Sequence, residues 1–282
     1  MDDNLRIWRN FEIGDLMDLI MLDTRQYDRS ITDLYWNTDY VHAISNEGSR
    51  SLMGPRQEHW FYNKLIESQK RKARWRIIGN QIVFSRMNVS LATGNKNPMA
   101  YDGWDGYVAN RNRTLRTIID HKINNTVFLS GDSHASWVSD LVWLGEKPYN
   151  SSTGVGALGV EFAGSAVSSP SPLGGNVTKA LASMSSNWLL SVNQELQWQD
   201  LYYRGYFELD VSYKSIKANF FGMPNVLTRN GKEIKLASFE VLDGENRLRR
   251  APTVGGGKAV AGALRGGKVV EAEAVVVDTA SK

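Results

Sequence analysis

The segment Phe128-Leu129-Ser130-Gly131-Asp132-Ser133-His134 runs an apolar stretch straight into glycine, aspartate and histidine. If the stretch is a buried strand, the turn after it can aim Asp132 and His134 at one point. A carboxylate oxygen and an imidazole nitrogen together suit a hard or borderline cation such as iron, manganese, zinc or calcium. Gly131 would let the backbone turn without a β-carbon clash. A turn-forming aspartate beside a surface histidine is the plainer alternative.

Three further clusters carry comparable chemistry. Gly79-Asn80-Gln81 is bounded on both sides by apolar, strand-like residues. Amides held there need hydrogen-bond or metal partners, and an amide-stabilised β-bulge fits the same pattern. Asp102-Gly103-Trp104-Asp105-Gly106-Tyr107 is a loop leading into a helix whose N-terminus favours an anion. Asp105 either belongs to that site or caps the helix. Asp23-Thr24-Arg25 offers a guanidinium able to grip phosphate with two hydrogen bonds; a buried structural Asp–Arg pair is equally compatible. Ser133 next to His134 does not make a serine hydrolase, because the Gly-x-Ser-x-Gly elbow is lacking.

These groups need rigid elements to hold them. Leu16 to Leu22 reads as a buried strand delivering Asp23-Thr24-Arg25 at its carboxyl end. Asp28 to Arg50 is polar, aromatic and aperiodic, and reads as a long surface loop. Gly54-Pro55 opens a helix through about Lys72, with Phe61 and Leu65 on one face and a basic end that complements the helix dipole. Trp75 to Ile78 is a predicted strand interrupted at Gly79-Asn80-Gln81. Tyr107 to His121 is a predicted helix, and Thr126 to Ser130 a buried strand. This alternation argues for an α/β layered fold. Beyond Gly131 the pattern predicts strands at Trp137–Leu144, Gly159–Phe162, Tyr206–Asp210, Ser215–Phe221 and Leu236–Leu242, with a helix over Val177 to Leu190. From Arg247 the glycine-rich Ala/Val/Lys composition predicts a disordered tail, residues 247–282.

Composition excludes several classes. With 42% hydrophobic and 22% charged residues, the 282-residue chain is ordinary for a globular domain. Its apolar runs fall short of the roughly 18 residues that a membrane-spanning helix needs. A net charge of +3, evenly spread, gives no nucleic-acid footprint. The absence of cysteine excludes disulfides and thiolate chemistry within the chain. The start lacks the basic-then-apolar layout of a signal peptide. Asn-x-Ser/Thr sequons at Asn88, Asn112, Asn124, Asn150 and Asn176 hint at a secretory relative.

The order of the motifs is more specific than any one of them. LDTRQY, the Gly-Pro-x-Gln-Glu-x-Trp helix of Gly54 to Trp60, RWRIIGNQ, DGWDGY, LSGDSHASW and GVEFAGSAVSSP follow one another from Trp8 to Pro170. In this the sequence resembles the PhoD-like alkaline phosphatase/phosphodiesterase family. The resemblance implies part of a metallophosphoesterase αββα sandwich, two packed sheets flanked by helices with metals at the strand ends. It also implies hydrolysis of small phosphate esters with iron and calcium or comparable metals. Asp132 and His134 stand where the last ligand motif of that fold stands. Asn80 occupies the loop that carries a histidine ligand in related enzymes, and Arg25 and Asp105 are expected near the reacting phosphate.

One departure sets a further expectation. Family members carry Gly-Ser-Cys, Gly-Asp-Tyr and Trp-Asp-Asp-His-Glu segments that supply the other ligands, and none occurs in this sequence. The chain is therefore expected to lack early strands of one sheet, to expose an apolar edge, and to hold metal weakly with little turnover by itself. The alternative is a non-catalytic domain that binds a phosphate ligand or a protein.

Overall fold

The computed structural model describes residues 6–90, 98–250, 258–269 and 277–278. The chain opens with strands β1 (Arg9–Ile13) and β2 (Met17–Met21), then helices α1 (Thr38–Ile44) and α2 (Gly54–Arg71). Strand β3 (Trp75–Ile82), helix α3 (Val108–Asp120), and strands β4 (Thr126–Gly131), β5 (Ser136–Leu141) and β6 (Gly159–Ala163) follow. Helix α4 (Lys179–Val192) precedes β7 (Leu196–Asp200), β8 (Arg204–Val211), β9 (Ser215–Met223) and β10 (Lys232–Leu242). Four two-residue strands close the series: β11 (Lys258–Ala259), β12 (Ala263–Leu264), β13 (Lys268–Val269) and β14 (Val277–Asp278).

Eight strands form the main sheet in the order β1-β2-β3-β4-β6-β5-β7-β12. Its centre, β2 through β4 to β6, is parallel, and α2 and α3 make the crossovers that parallel pairing requires. Side-chain alternation divides the two faces. Trp75, Ile77, Val127 and Phe162 pack against Ile216, Ala218, Phe220 and Phe239 of the four-stranded sheet β14-β10-β9-β8. Ile20, Ile78 and Phe128 point the other way, onto Phe61 and Leu65 of α2 and Leu115 and Ile118 of α3. Helix α4 joins that face through Ala182, Leu189 and Leu190.

The layers therefore run helix, sheet, sheet, three of the four implied by an αββα sandwich. No described helix covers the outer face of the small sheet, where Tyr206, Glu208, Asp210 and Lys217 are exposed and mostly polar. The edge strand β1 exposes Phe11 and Ile13, and the segment before α1 exposes Leu34, Tyr35 and Trp36. No helix among the described residues is long and apolar enough to cross a membrane.

Several expectations need correcting. The segment Asp28 to Arg50 is not a plain loop: it contains α1, anchored by the buried Val41. Arg50 ties its end down by donating to Gly106 O at 3.1 and 3.0 Å and to Ile31 O at 2.8 Å. Strand β3 runs through Gly79-Asn80-Gln81 to Ile82, paired with β2 as far as Gly79 and picked up again by β4 at Ile82. The irregularity survives as a register shift against β4 between Gly79 and Ile82.

Of the segment from Arg247 onward, 251–257, 270–276 and 279–282 lie outside the described residues. The described parts pack. β12 pairs antiparallel with β7, Ala259 and Ala263 are buried, and Trp198 Nε1 donates to Ala261 O at 3.0 Å. Glycine-rich composition hid these few apolar anchors.

Candidate functional site

The carboxyl ends of parallel strands are where open α/β sheets place ligands, and β2, β3 and β4 each end there with polar residues. After β2, the loop is held from two directions. Asp23 N–H donates to Gln57 Oε1 (2.7 Å), and Gln57 Nε2 returns a hydrogen bond to Asp23 O (2.8 Å). Gln81 Oε1 accepts from both Thr24 N–H (2.7 Å) and the Thr24 hydroxyl (2.6 Å). Asp23 itself accepts Gln26 N–H at 2.8 Å. These bonds fix the backbone that carries Arg25, and Gln81 Nε2 adds to them by donating to Leu22 O.

Arg25 lies between two carboxylates. Nη1 donates to Asp102 Oδ2 at 2.9 Å, and Nη2 donates to Asp132 Oδ2. Asp102 also accepts from the Thr32 hydroxyl (2.8 Å) and from Arg29 Nη2 (3.0 Å). Burial alone would raise the Asp102 pKa, but the Thr32 hydroxyl and the Arg25 and Arg29 charges outweigh it and hold it below the usual carboxylate range. Burial likewise works against the Arg25 charge, and Asp102 and Asp132 override it, so the guanidinium stays cationic.

The turn after β4 is not made by glycine. Gly131 remains in the strand, while Asp132 and His134 adopt left-handed φ values of 66° and 56°. Ser133 N–H donates back to Gly131 O at 2.7 Å, which closes a three-residue turn around Asp132. L-residues resist this conformation, and such strain tends to collect at functional sites. Asp132 and His134 engage different partners: Asp132 meets Arg25, and His134 Nδ1 donates to Pro170 O at 3.1 Å.

Asn80 stands beside this turn. Its Nδ2 donates to Ile82 O and to Ser130 Oγ (3.3 Å), and its buried Oδ1 has no partner. Ser130 in turn donates to Glu161 Oε1 at 2.6 Å. Glu161, buried in β6, also accepts Phe84 N–H (2.7 Å) and Ser85 N–H (2.8 Å). Burial raises its pKa against those hydrogen bonds. It stitches the ends of β3, β4 and β6 together.

Donor chemistry at this end of the sheet fits a cation in part. The half-exposed Asp132 carboxylate, the orphaned Asn80 Oδ1 and the His134 Nε2 are all of suitable type. With Nδ1 donating to a backbone carbonyl, Nε2 is the ring nitrogen free to meet a ligand, as in metal-binding histidines. Among the described residues, no group of three or more His, Cys, Asp or Glu side chains could hold a metal ion.

Asp105 sits elsewhere. Its Oδ1 pairs with Arg111 at 2.7 Å and its Oδ2 accepts Met87 N–H at 2.8 Å. It makes no side-chain cap on α3, whose N-cap is Tyr107. The Arg25 partner within this motif is Asp102. Sequence reasoning passed over Asp102, although it lies in the same DGWDGY run, and missed Arg29, Thr32, Ser130 and Glu161. Glu161 had a signal, a lone charge inside the apolar GVEFA strand.

Comparison with known proteins agrees with this architecture. The family model for PhoD-like phosphatase matches residues 1–220. Alkaline phosphatase D of Bacillus subtilis (strain 168) is 33% identical over 259 residues, covering 90% of this chain and 41% of that protein. A solved structure of PhoD superposes with a TM-score of 0.68 at 29% identity, over 88% of this chain and 45% of that one. The chain thus spans about two fifths of the length of the curated relative it matches.

Proposed function

The chain belongs to the PhoD-like phosphatase family, and from that premise we propose that its site acts on phosphate monoesters or diesters with metal assistance. The observation that carries this reading is Arg25, held between Asp102 and Asp132 at the carboxyl ends of β2 and β4. A phosphoryl group replacing Asp132 at Nη2 keeps the guanidinium neutralised and gains charge-assisted hydrogen bonds. Asp102, fixed by Thr32 and Arg29, keeps the guanidinium aimed while the exchange occurs. Equatorial charge that develops on the phosphoryl oxygens is then met by a fixed cation.

Asp132, His134 Nε2 and Asn80 Oδ1 would hold a metal ion, which supplies Lewis-acid polarisation of the phosphoryl oxygen when bound. Iron and calcium are the ions the family resemblance implies. The strained turn presents Asp132 and His134, and Glu161 with Ser130 holds the strand ends that frame Asn80. Asp105 enters this scheme as a positioning residue for Met87 and α3.

The test is hydrolysis of p-nitrophenyl phosphate by the full chain supplied with iron and calcium. Turnover that Asp132→Ala and His134→Ala abolish, and that Arg25→Lys lowers about tenfold or more, is the expected result. A second reading, a phosphate-ligand-binding domain without turnover, is favoured by the lack of a three-ligand group among the described residues. No turnover under any metal supply would decide for it.

A further inference from the structure

Next to Asp102 and Asp132 the surface changes from charged to apolar. A cavity of about 470 Å³ opens there between the turn after β4, the segment after β3, and helix α4. That volume lies within the range of about 300–1,000 Å³ typical of small-molecule sites. Asp102, Asp132 and Ser133 form its polar edge. Val83, Trp137, Leu189 and Leu201, all buried, form its floor and wall. The Trp137 indole N–H is already engaged by Ser133 Oγ at 2.8 Å, so that ring presents carbon to the cavity. At the outer lip stand Leu181 and Met184 of α4, 43% and 64% exposed.

Isolated exposed leucine or methionine on a helix is ordinary. Here both residues border a concavity that begins at the carboxylates gripping Arg25. A concave, largely carbon-lined space whose rim carries the two carboxylates that grip Arg25 suits the apolar part of a ligand whose anionic head pairs with that guanidinium. We propose that this cavity takes the alcohol part of the ester, so that the site selects phosphate esters of apolar alcohols, alkyl or aryl, over those of sugars. The assignment rests on the phosphatase reading above.

Non-hydrolysable n-alkylphosphonates, from methyl to octyl, test it by binding to the full chain, read through quenching of Trp137 and Trp188, which both line the cavity. Affinity should rise by up to about fourfold per added methylene between butyl and octyl. Leu181→Asp with Met184→Asp should flatten that rise, and both positions are exposed enough for the fold to tolerate charge. Arg25→Ala should weaken every member of the series by a similar factor. A series flat in chain length, with the Arg25→Ala loss intact, overturns the cavity assignment and leaves the phosphatase reading standing. A rise with chain length that Arg25→Ala does not touch supports the apolar cavity and overturns the phosphatase reading. A dimer that Leu181→Asp with Met184→Asp dissolves and octylphosphonate does not gives the cavity to a second copy and overturns the proposal.

Discussion

Asp132 and Asp140 each meet an arginine, one just beyond β4 and the other within β5. Asp132 keeps 45% of its side chain exposed and shares Arg25 with Asp102. Asp140 is fully buried at 0% and is saturated by Arg250, the Tyr149 hydroxyl (2.9 Å) and Leu248 N–H (2.8 Å). Asp140 and Asp105 are buried with both carboxylate oxygens already engaged, which closes them to a ligand, so they hold the fold. Asp132 has spare acceptor capacity, water access and a strained backbone. An aspartate–arginine pair therefore says little until its burial and remaining bonds are known.

The contrast is sharpest in stability. Replacing Asp140 by alanine leaves the buried Leu248 N–H without its acceptor and takes the counter-charge from Arg250, which keeps only carbonyl and hydroxyl acceptors. The change should cost about 3–5 kcal/mol, read from urea denaturation. A loss under about 1 kcal/mol, the scale of an exposed pair, would erase the distinction.

Asp200 offers an intermediate case, buried with its hydrogen bonds coming from backbone N–H groups such as Tyr203 (2.8 Å). Burial raises its pKa from 3.8 to about 6 despite those bonds and the nearby Arg204 charge. The folded state then binds more protons than the unfolded state between those values, so stability should fall as pH rises from about 4 to about 6, by on the order of 3 kcal/mol. Melting curves across that window should lose this slope in Asp200→Asn; an unchanged slope assigns it to other groups.

The smallest effects belong to Asp132. Asp132→Ala should change stability by less than about 1 kcal/mol while removing the hydrolysis proposed for this site. Because φ there is 66°, Asp132→Gly should be more stable than Asp132→Ala by about 1 kcal/mol. Equal melting temperatures for these two variants would mean that the turn stores no strain.

Local pattern was enough for β2, α2, α3 and β4 and for the first half of β3, because strand and helix periods are properties of neighbouring residues. It failed for β7, whose LQWQD carries polar residues into a fully buried strand, and for β1, an exposed edge strand without a core face. The turn at Asp132 was legible as a turn, but Gly131 drew attention away from the two residues that bear the left-handed backbone. Asp105 was favoured over Asp102 because both stand in one short loop, and only packing separates them.

By itself the sequence determined the layered α/β class, the motif order that carries the family, and the carboxylate, imidazole, amide and guanidinium groups available to a site. Tertiary structure alone decided which carboxylates are saturated, that Arg25 reaches Asp102 and Asp132, and that Glu161 ties three strand ends together. The reason is distance along the chain. Arg25 and Asp132 are 107 residues apart in sequence, and no local periodicity records which side chain a fold will bring beside another.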